Sequence, residues 1–263
     1  MNITVFNRYE NKFKLNNSQY HEIIKYLDEY MVPDEHSKDG GFYSICNIYY
    51  DSPDDSLIRK SIEKPVYKEK LRLRSYGIPD DYSESFIEIK KKFKGNVNKR
   101  RITLPLKEAV DYLDRNIPPD SIDCNSQIFR EIDYMKNRYA LVPKVYISYD
   151  RRAYFGKDDR ELRITFDTNI RGRRVDLDLQ KGAYGDMILE KGYWLMEIKI
   201  SQSAPLWLAK LLSDCKVYKT SFSKYGTEYT AYINKMQKKG EKVICLNQYS
   251  QQQKQQYQPS RQS

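Results

Sequence analysis

Lys68, Lys70, Arg72 and Arg74 occupy alternate positions in the stretch Tyr67-Lys68-Glu69-Lys70-Leu71-Arg72-Leu73-Arg74-Ser75-Tyr76-Gly77. Four cations at period two share one face of a β-strand, with Tyr67, Leu71 and Leu73 on the other. Taken alone, such a row is the solvated face of a half-buried strand. The pattern recurs, however. Arg8, Glu10 and Lys12 alternate near the N-terminus. Glu88 and Lys90 oppose Ile87, Ile89 and Phe93, and Lys99, Arg101 and Thr103 oppose Ile102 and Leu104. Arg163, Thr165 and Asp167 oppose Leu162, Ile164 and Phe166; Glu197 and Lys199 oppose Trp194, Met196, Ile198 and Ile200. In the charged phases cations far outnumber the acids Glu10, Glu88, Asp167 and Glu197. Solvated sheet faces mix signs, because like charges on neighbouring strands repel. A cationic excess in one phase suits a polyanion: Arg makes forked contacts to phosphate oxygens and Lys acts as a mobile point charge. The carboxylates among them are oxygen ligands of the kind Mg²⁺ or Mn²⁺ prefers.

Other chemistries find little support. No Ser/His/Asp or Cys/His constellation accompanies these rows. Cys46, Cys124, Cys215 and Cys245 lack C-x-x-C spacing, and His21 and His36 are not near them. Neither a disulfide framework nor a Cys/His zinc site is expected. The formal net charge of +10 over 263 residues favours nucleic acid, nucleotides, polyphosphate or an anionic membrane surface as partner. No helix-turn-helix, K-homology or RNP-type motif is present, so nucleic acid is not expected. No apolar run reaches the roughly 18–20 residues that span a bilayer, and the first residues lack a signal-peptide layout. A reducing cytoplasm is the expected location.

The elements that must position these residues follow from periodicity. A first strand is predicted over Ile3–Phe13, then a helix capped by Ser18 and carrying Tyr20, Ile23, Ile24, Leu27, Tyr30 and Met31. Phe42–Tyr50 reads as a strand and Leu57–Ile62 as a short helix. Strands at Ser85–Phe93 and around Lys99–Leu104 flank a Lys94-Gly95-Asn96 turn. Helices follow after Pro105 and over Ser126–Tyr139. Further strands are predicted at Lys144–Tyr149, Glu161–Ile170 and Tyr193–Ile200, with an irregular polar segment at Arg171–Asp186. Helices close the chain after Pro205 and around Tyr229–Met236. Residues 1–238 form one domain; the Gln- and Ser-rich 239–263 read as a disordered tail.

The expected fold class is α+β. An antiparallel barrel of about eight strands would enclose a polar, cationic lumen, with amphipathic helices packed outside. Confining so many cations is costly without counter-charge, which a chain of phosphates would supply.

The strands Glu88-Ile89-Lys90 and Glu197-Ile198-Lys199, the run Leu71 to Gly77, and Tyr149-Asp150-Arg151 with Arg163-Ile164-Thr165-Phe166-Asp167-Thr168 resemble the catalytic domain of the vacuolar transporter chaperone (VTC) polyphosphate polymerases, which are triphosphate tunnel metalloenzymes. The resemblance runs from about Arg8 to Tyr232. It implies ATP and polyphosphate as substrates and Mn²⁺ or Mg²⁺ as cofactor. It assigns phosphate handling in catalysis to Arg72, Arg74, Lys90, Lys99, Arg151 and Arg163, and further phosphate binding to Lys12, Lys199 and Lys224; Arg8, Lys70 and Arg101 join these as phosphate-binding candidates by their place in the charged phase. It assigns the metal to Glu197, with Glu88 and Glu10 as further candidates. Eukaryotic members act in membrane complexes, which implies a membrane-protein partner. Two departures stand out: Arg8 replaces the first acid of the E-x-E-x-K strand of related hydrolases, and Ser221 replaces the first lysine of K-F-S-K, with Lys219 nearby. Arg151 also shares its phase with Val145, Ile147 and Tyr149, so a bulge or a strand end is expected to let it reach the lumen. The alternatives to a polymerase are a tripolyphosphatase or nucleoside triphosphatase on the same barrel, and a non-catalytic module for polyphosphate or inositol phosphates.

Overall fold

The computed structural model describes residues 9–94, 96–121, 126–201 and 203–239. Arg8, Cys124, Cys245 and nearly all of the Gln- and Ser-rich tail lie outside the described residues. Among those described, eleven strands form one sheet in which every pairing is antiparallel. In spatial order the main path is β11 (Lys219–Thr220), β1 (Tyr9–Asn16), β10 (Tyr193–Ile200), β8 (Arg163–Arg173), β7 (Val142–Gly156), β3 (Tyr43–Asp51), β4 (Tyr67–Tyr76), β5 (Glu84–Phe93) and β6 (Asn96–Pro105). Two short strands lie off it: β2 (Met31–Pro33) pairs with β7, and β9 (Asp186–Met187) with β8.

Alternation gives the sheet two chemically different faces. On the convex face, Ile48, Leu71, Leu73, Ile87, Ile89, Ile102 and Leu104 are buried beneath α3 (Leu106–Arg115) and α4 (Gln127–Tyr139). Farther round, Phe13, Leu15, Ile164, Phe166, Met196 and Ile198 are buried beneath α1 (Asn17–Tyr30) and α5 (Leu206–Asp214). At about 25 cal/mol per Å² of apolar surface, these two layers are the main source of stability. The α1 cap is Asn16, not the expected Ser18. Asn16 accepts from the Gln19 N–H (2.9 Å) while the Gln19 side chain accepts from the Asn16 N–H (3.0 Å), a reciprocal arrangement that fixes the strand-to-helix corner.

The expectation that all helices pack outside is corrected on the concave side. There α2 (Ser56–Ile62) and α6 (Lys224–Lys238) cover Tyr49, Val145, Ile147, Ile170 and Leu195 with Ile58, Tyr225 and Tyr229. Buried Asp51 ties both helices down. It accepts from the Leu57 and Ile58 N–H groups (2.9 Å each) at the start of α2 and from the Tyr225 hydroxyl (3.0 Å) on α6. Half of the concave face is therefore apolar and filled, and the other half carries the charges. Arg151 needs no bulge to reach them. Val145, Ile147 and Tyr149 already face inward beneath α6, and Arg151 continues the same phase, opposite Tyr43 and Asp167.

Among the described residues the sheet does not close into a hydrogen-bonded barrel. It curls far enough that Lys90 on β5 comes within 3.8 Å of Glu10 on β1, strands that are far apart in the sheet order. A side-chain ion pair spans the gap that a closed barrel would bridge with backbone.

The segment expected to be irregular at Arg171–Asp186 begins as strand and then folds around one side chain. Arg173 donates to the carbonyls of Asp176, Asp178, Gly182 and Tyr184 and lies between the rings of Tyr146 (3.5 Å) and Tyr184 (4.1 Å). Gly185 (φ 141°) then brings the chain back onto Gly172 so closely that no side chain fits between them.

Candidate functional site

Two charged clusters line the open half of the concave face. The first centres on Glu88, which is 2 % exposed. Arg72 Nε lies 2.6 Å from its Oε2, Arg74 Nε 3.6 Å from the same atom, and Lys99 Nζ 2.5 Å from Oε1. The register explains the meeting, since Arg72 and Arg101 are directly opposite Glu88 on the two flanking strands. Behind them, Arg72 donates to the Tyr49 hydroxyl (3.2 Å); Arg74 donates to Asn47 Oδ1 (2.8 Å) and the Tyr149 hydroxyl (3.1 Å). These neutral acceptors on β3 and β7 hold the guanidinium planes in place.

The second cluster centres on Asp167 and Glu197. Arg151 grips Asp167 with two prongs, and Lys224, the first residue of α6, donates to Asp167 Oδ2 (2.6 Å) and Glu197 Oε1 (3.3 Å). Lys12 lies 3.0 Å from Glu197 Oε1 and 3.4 Å from Glu10, and Arg151 Nη2 lies 3.7 Å from Glu197 Oε2. The α6 N-terminus owes its position to Ser223, which accepts from the Gly226 N–H (3.1 Å).

The remaining sequence-predicted residues ring these clusters. Lys90 reaches Glu10, and Lys199 is in register with Glu10 on one side and Arg163 on the other. Lys70 lies 3.4 Å from Ser223 Oγ. Arg101 stacks over Phe86 (4.7 Å), and Arg163 binds Asp34 (3.3 Å). Lys219 does not replace the lysine missing at Ser221. It is exposed and in register with Phe13, whose side chain belongs to the convex core.

The electrostatics follow from burial opposed by pairing. Burial raises the cost of ionising Glu88, yet Arg72, Arg74 and Lys99 hold its pKa well below the usual carboxylate range. Glu197 is likewise held low by Lys224, Lys12 and Arg151 against desolvation. At three lysines desolvation wins, and Lys70, Lys99 and Lys199 are each lowered to about 8; at Lys224 burial opposes the charge but Asp167 and Glu197 outweigh it and raise the pKa. Tyr49 is lowered to about 8 as well, since Arg72, Lys70 and Arg74 together outweigh its burial.

The three carboxylates expected to hold a metal are not gathered. Among the described residues no group of three or more His, Cys, Asp or Glu side chains is placed to bind one. Glu88 is committed to its three cations. Glu10 and Glu197 are a better match. They share Lys12 between them, and Mg²⁺ or Mn²⁺ commonly takes only one or two carboxylates, with substrate phosphate oxygens completing its shell.

Asp167, Tyr49 and Asn47 were not singled out from sequence as site residues. Asp167 carried a signal, falling in the charged phase with Arg163. Tyr49 and Asn47 carried none, because β3 is apolar on both faces where α6 covers it.

A curled antiparallel sheet, helices on its convex side and a basic, carboxylate-studded cleft on its concave side define a protein of the triphosphate-tunnel fold. Solved structures share that fold. An adenylate cyclase-like protein from Bacillus halodurans superposes with a TM-score of 0.51 at 14% identity, covering 81% of this chain and 92% of its own. An adenylyl cyclase-like protein from Hippeastrum, with a dominant triphosphatase activity, superposes with a TM-score of 0.50 at 14% identity, covering 90% and 97%. No curated protein sequence matches the chain. Residues 7–233 match the VTC domain, and the chain belongs to that family.

Proposed function

We propose that this chain is a polyphosphate polymerase that moves the γ-phosphate of ATP onto a growing polyphosphate chain within the basic cleft. The observation that carries this reading is the pair of buried clusters, Arg72/Arg74/Lys99 on Glu88 and Lys12/Arg151/Lys224 on Asp167 and Glu197. They sit on one continuous face, joined by Tyr149, whose hydroxyl accepts from Arg74 and whose ring lies against Arg151 and Lys224. The VTC family match supports it. The triphosphatase activity of the Hippeastrum protein supports the broader reading of an enzyme that acts on linked phosphates.

Phosphoryl transfer needs positioning and charge neutralisation more than a covalent protein intermediate. An oxygen of the terminal phosphate on the growing chain attacks the γ-phosphorus. The bond from that phosphorus to the β-phosphate oxygen breaks, and ADP leaves with the electron pair. The attacking oxygen is already ionised near neutral pH, so no general base is required. Arg72 and Arg74, braced by Tyr49, Asn47 and Tyr149, would hold the donor's phosphates, and Arg151 and Lys224 would absorb charge from the other side. Lys12, Lys70, Lys90, Lys99, Arg101, Arg163 and Lys199 would extend the track for a longer anion. Glu10 and Glu197 would hold Mn²⁺ or Mg²⁺, which would supply positive charge against that of the phosphates.

The deciding experiment is incubation of the purified protein with ATP and Mn²⁺, read on a gel for long anionic chains and by chromatography for ADP. Polyphosphate with ADP supports a polymerase. Orthophosphate in place of chains assigns water as the acceptor and a hydrolase reading. Tight tripolyphosphate binding without turnover, insensitive to Glu197→Ala, leaves a binding module.

A further inference from the structure

Beyond Arg74 and Arg151 the concave face changes from charged to aromatic. Tyr76 lies two residues past Arg74 on the same face of β4, and Tyr43 is directly opposite Arg151 in the β3–β7 register. Phe86, opposite Arg74 on β5, meets Tyr76 edge-on at 5.6 Å. His36, from the 3-10 turn Glu35–Gly40, lies parallel to the Tyr76 ring at 5.4 Å and 13° and tilts against Tyr43 at 5.3 Å. The turn is held rigidly. Buried Asp34 accepts from the His36 and Ser37 N–H groups (3.0 and 2.9 Å), the Tyr43 hydroxyl (3.2 Å) and Arg163 (3.3 Å).

Aromatic rings contribute most to packing when they are buried. Here Tyr76 is 39% exposed and His36 is exposed, both at the lip of a cleft lined with cations. From Arg74 to Tyr76 the face advances two strand residues, about 7 Å. That is a step on the scale of a sugar separating phosphates from a base. We propose that His36 and Tyr76, flanked by Phe86 with Arg101 over it, form a stacking platform for the base of a nucleoside triphosphate whose phosphates lie along the cationic cleft. The proposal rests on the reading above that the cleft takes triphosphates. Stacking uses the π-face that every base has, and Asp34, the acid beneath the platform, is already occupied. The platform therefore accepts purine nucleotides without discriminating their edges.

The test compares ATP, GTP and inorganic tripolyphosphate by titration calorimetry on the full chain. Tripolyphosphate has the phosphates and lacks the base. Tyr76→Ala and His36→Ala are each expected to weaken ATP and GTP by roughly ten-fold to a hundred-fold, while tripolyphosphate is unchanged and Tyr76→Phe binds like wild type. His36 is exposed, so its variant keeps the test open should Tyr76→Ala fail to fold. Equal losses for ATP and tripolyphosphate, or no loss for either, would overturn the platform. Wild-type protein that binds tripolyphosphate but neither nucleotide would overturn the platform and leave the anion cleft standing. Binding of none of the three would overturn both.

Discussion

Arg151 and Asp167 meet side by side, Nε to Oδ1 at 2.6 Å and Nη2 to Oδ2 at 2.8 Å, on a carboxylate that is 0 % exposed. The pair joins β7 to β8 at the floor of the cleft, and Lys224 of α6 completes it. Asp167 is thus the internal counter-ion that lets two cations be buried together. Asp167→Asn leaves Arg151 and Lys224 with Glu197 alone, which costs at most about 3–5 kcal/mol, the figure for a wholly broken buried pair. A urea-melt midpoint shifted down is the expected result. An unchanged midpoint would contradict the counter-ion role.

Glu88 has the matching role on the other wall. Glu88→Gln leaves Arg72, Arg74 and Lys99 facing one another without an acid. The apo protein should melt several degrees lower, and saturating tripolyphosphate should restore more of the loss than it adds to wild type, because the ligand supplies the missing charge. Thermal melts with and without ligand check this; equal ligand-induced shifts in both proteins would argue against it.

Arg72→Ala should lower turnover by roughly 100-fold or more, since a preorganised cation facing developing charge is removed. Glu88 keeps Arg74 and Lys99, so the fold should survive with a melting temperature within a few degrees of wild type. Arg72→Lys should not rescue activity, because a point charge cannot reach Glu88 and Tyr49 as the guanidinium does. Steady-state rates beside a melt separate the two effects.

The lysines give a pH signature of opposite sign for stability and binding. Lys70, Lys99 and Lys199 titrate near 8 in the folded protein against 10.5 in the unfolded chain, and Tyr49 near 8 against 10.0. Between about pH 8 and 10 the unfolded chain binds more protons, so stability of the ligand-free protein gains from these groups as pH rises. Tripolyphosphate affinity falls over the same interval, because the lysines lose the charge that attracts it. Calorimetry in buffers of different ionisation enthalpy should show proton uptake on binding near pH 8. Binding with no proton uptake would mean that these lysines do not contact the anion.

Most of the strand faces were legible in the sequence, and the limits are physical. β4, β5, β6, β8 and β10 alternate cleanly, because one face meets helices and the other meets charge. β3 does not alternate, since Ile48 and Tyr50 face the convex core while Ile45 and Tyr49 lie beneath α2 and α6. β7 was expected to end at Tyr149, where the apolar run gives way to Asp150-Arg151-Arg152. It runs on to Gly156, and each of the three charged side chains has a polar partner: Asp150 has Ser44 (2.7 Å) and Asn169 (2.8 Å), Arg151 has Asp167, and Arg152 has the Tyr20 hydroxyl (3.2 Å). α6 begins before Gly226, earlier than periodicity suggests, because the Ser223 cap outweighs the glycine's weak helical preference. The basic residues of the cleft were visible by type and phase. Their distribution over two separate acids was not, since it depends on which strands become neighbours.

That distribution has a consequence for selectivity. Each basic group in the two clusters already has a resident acid, so a newcomer must compete for it. Orthophosphate, small and weakly charged, can contest only one acid at a time and gains little over the partner it displaces. A string of linked phosphates contests both walls at once, and its second engagement comes at high effective concentration. On the proposed function, the resident carboxylates would act as a threshold, so that the cleft would ignore short anions and respond steeply once the incoming chain is long enough to reach from Glu88 to Glu197.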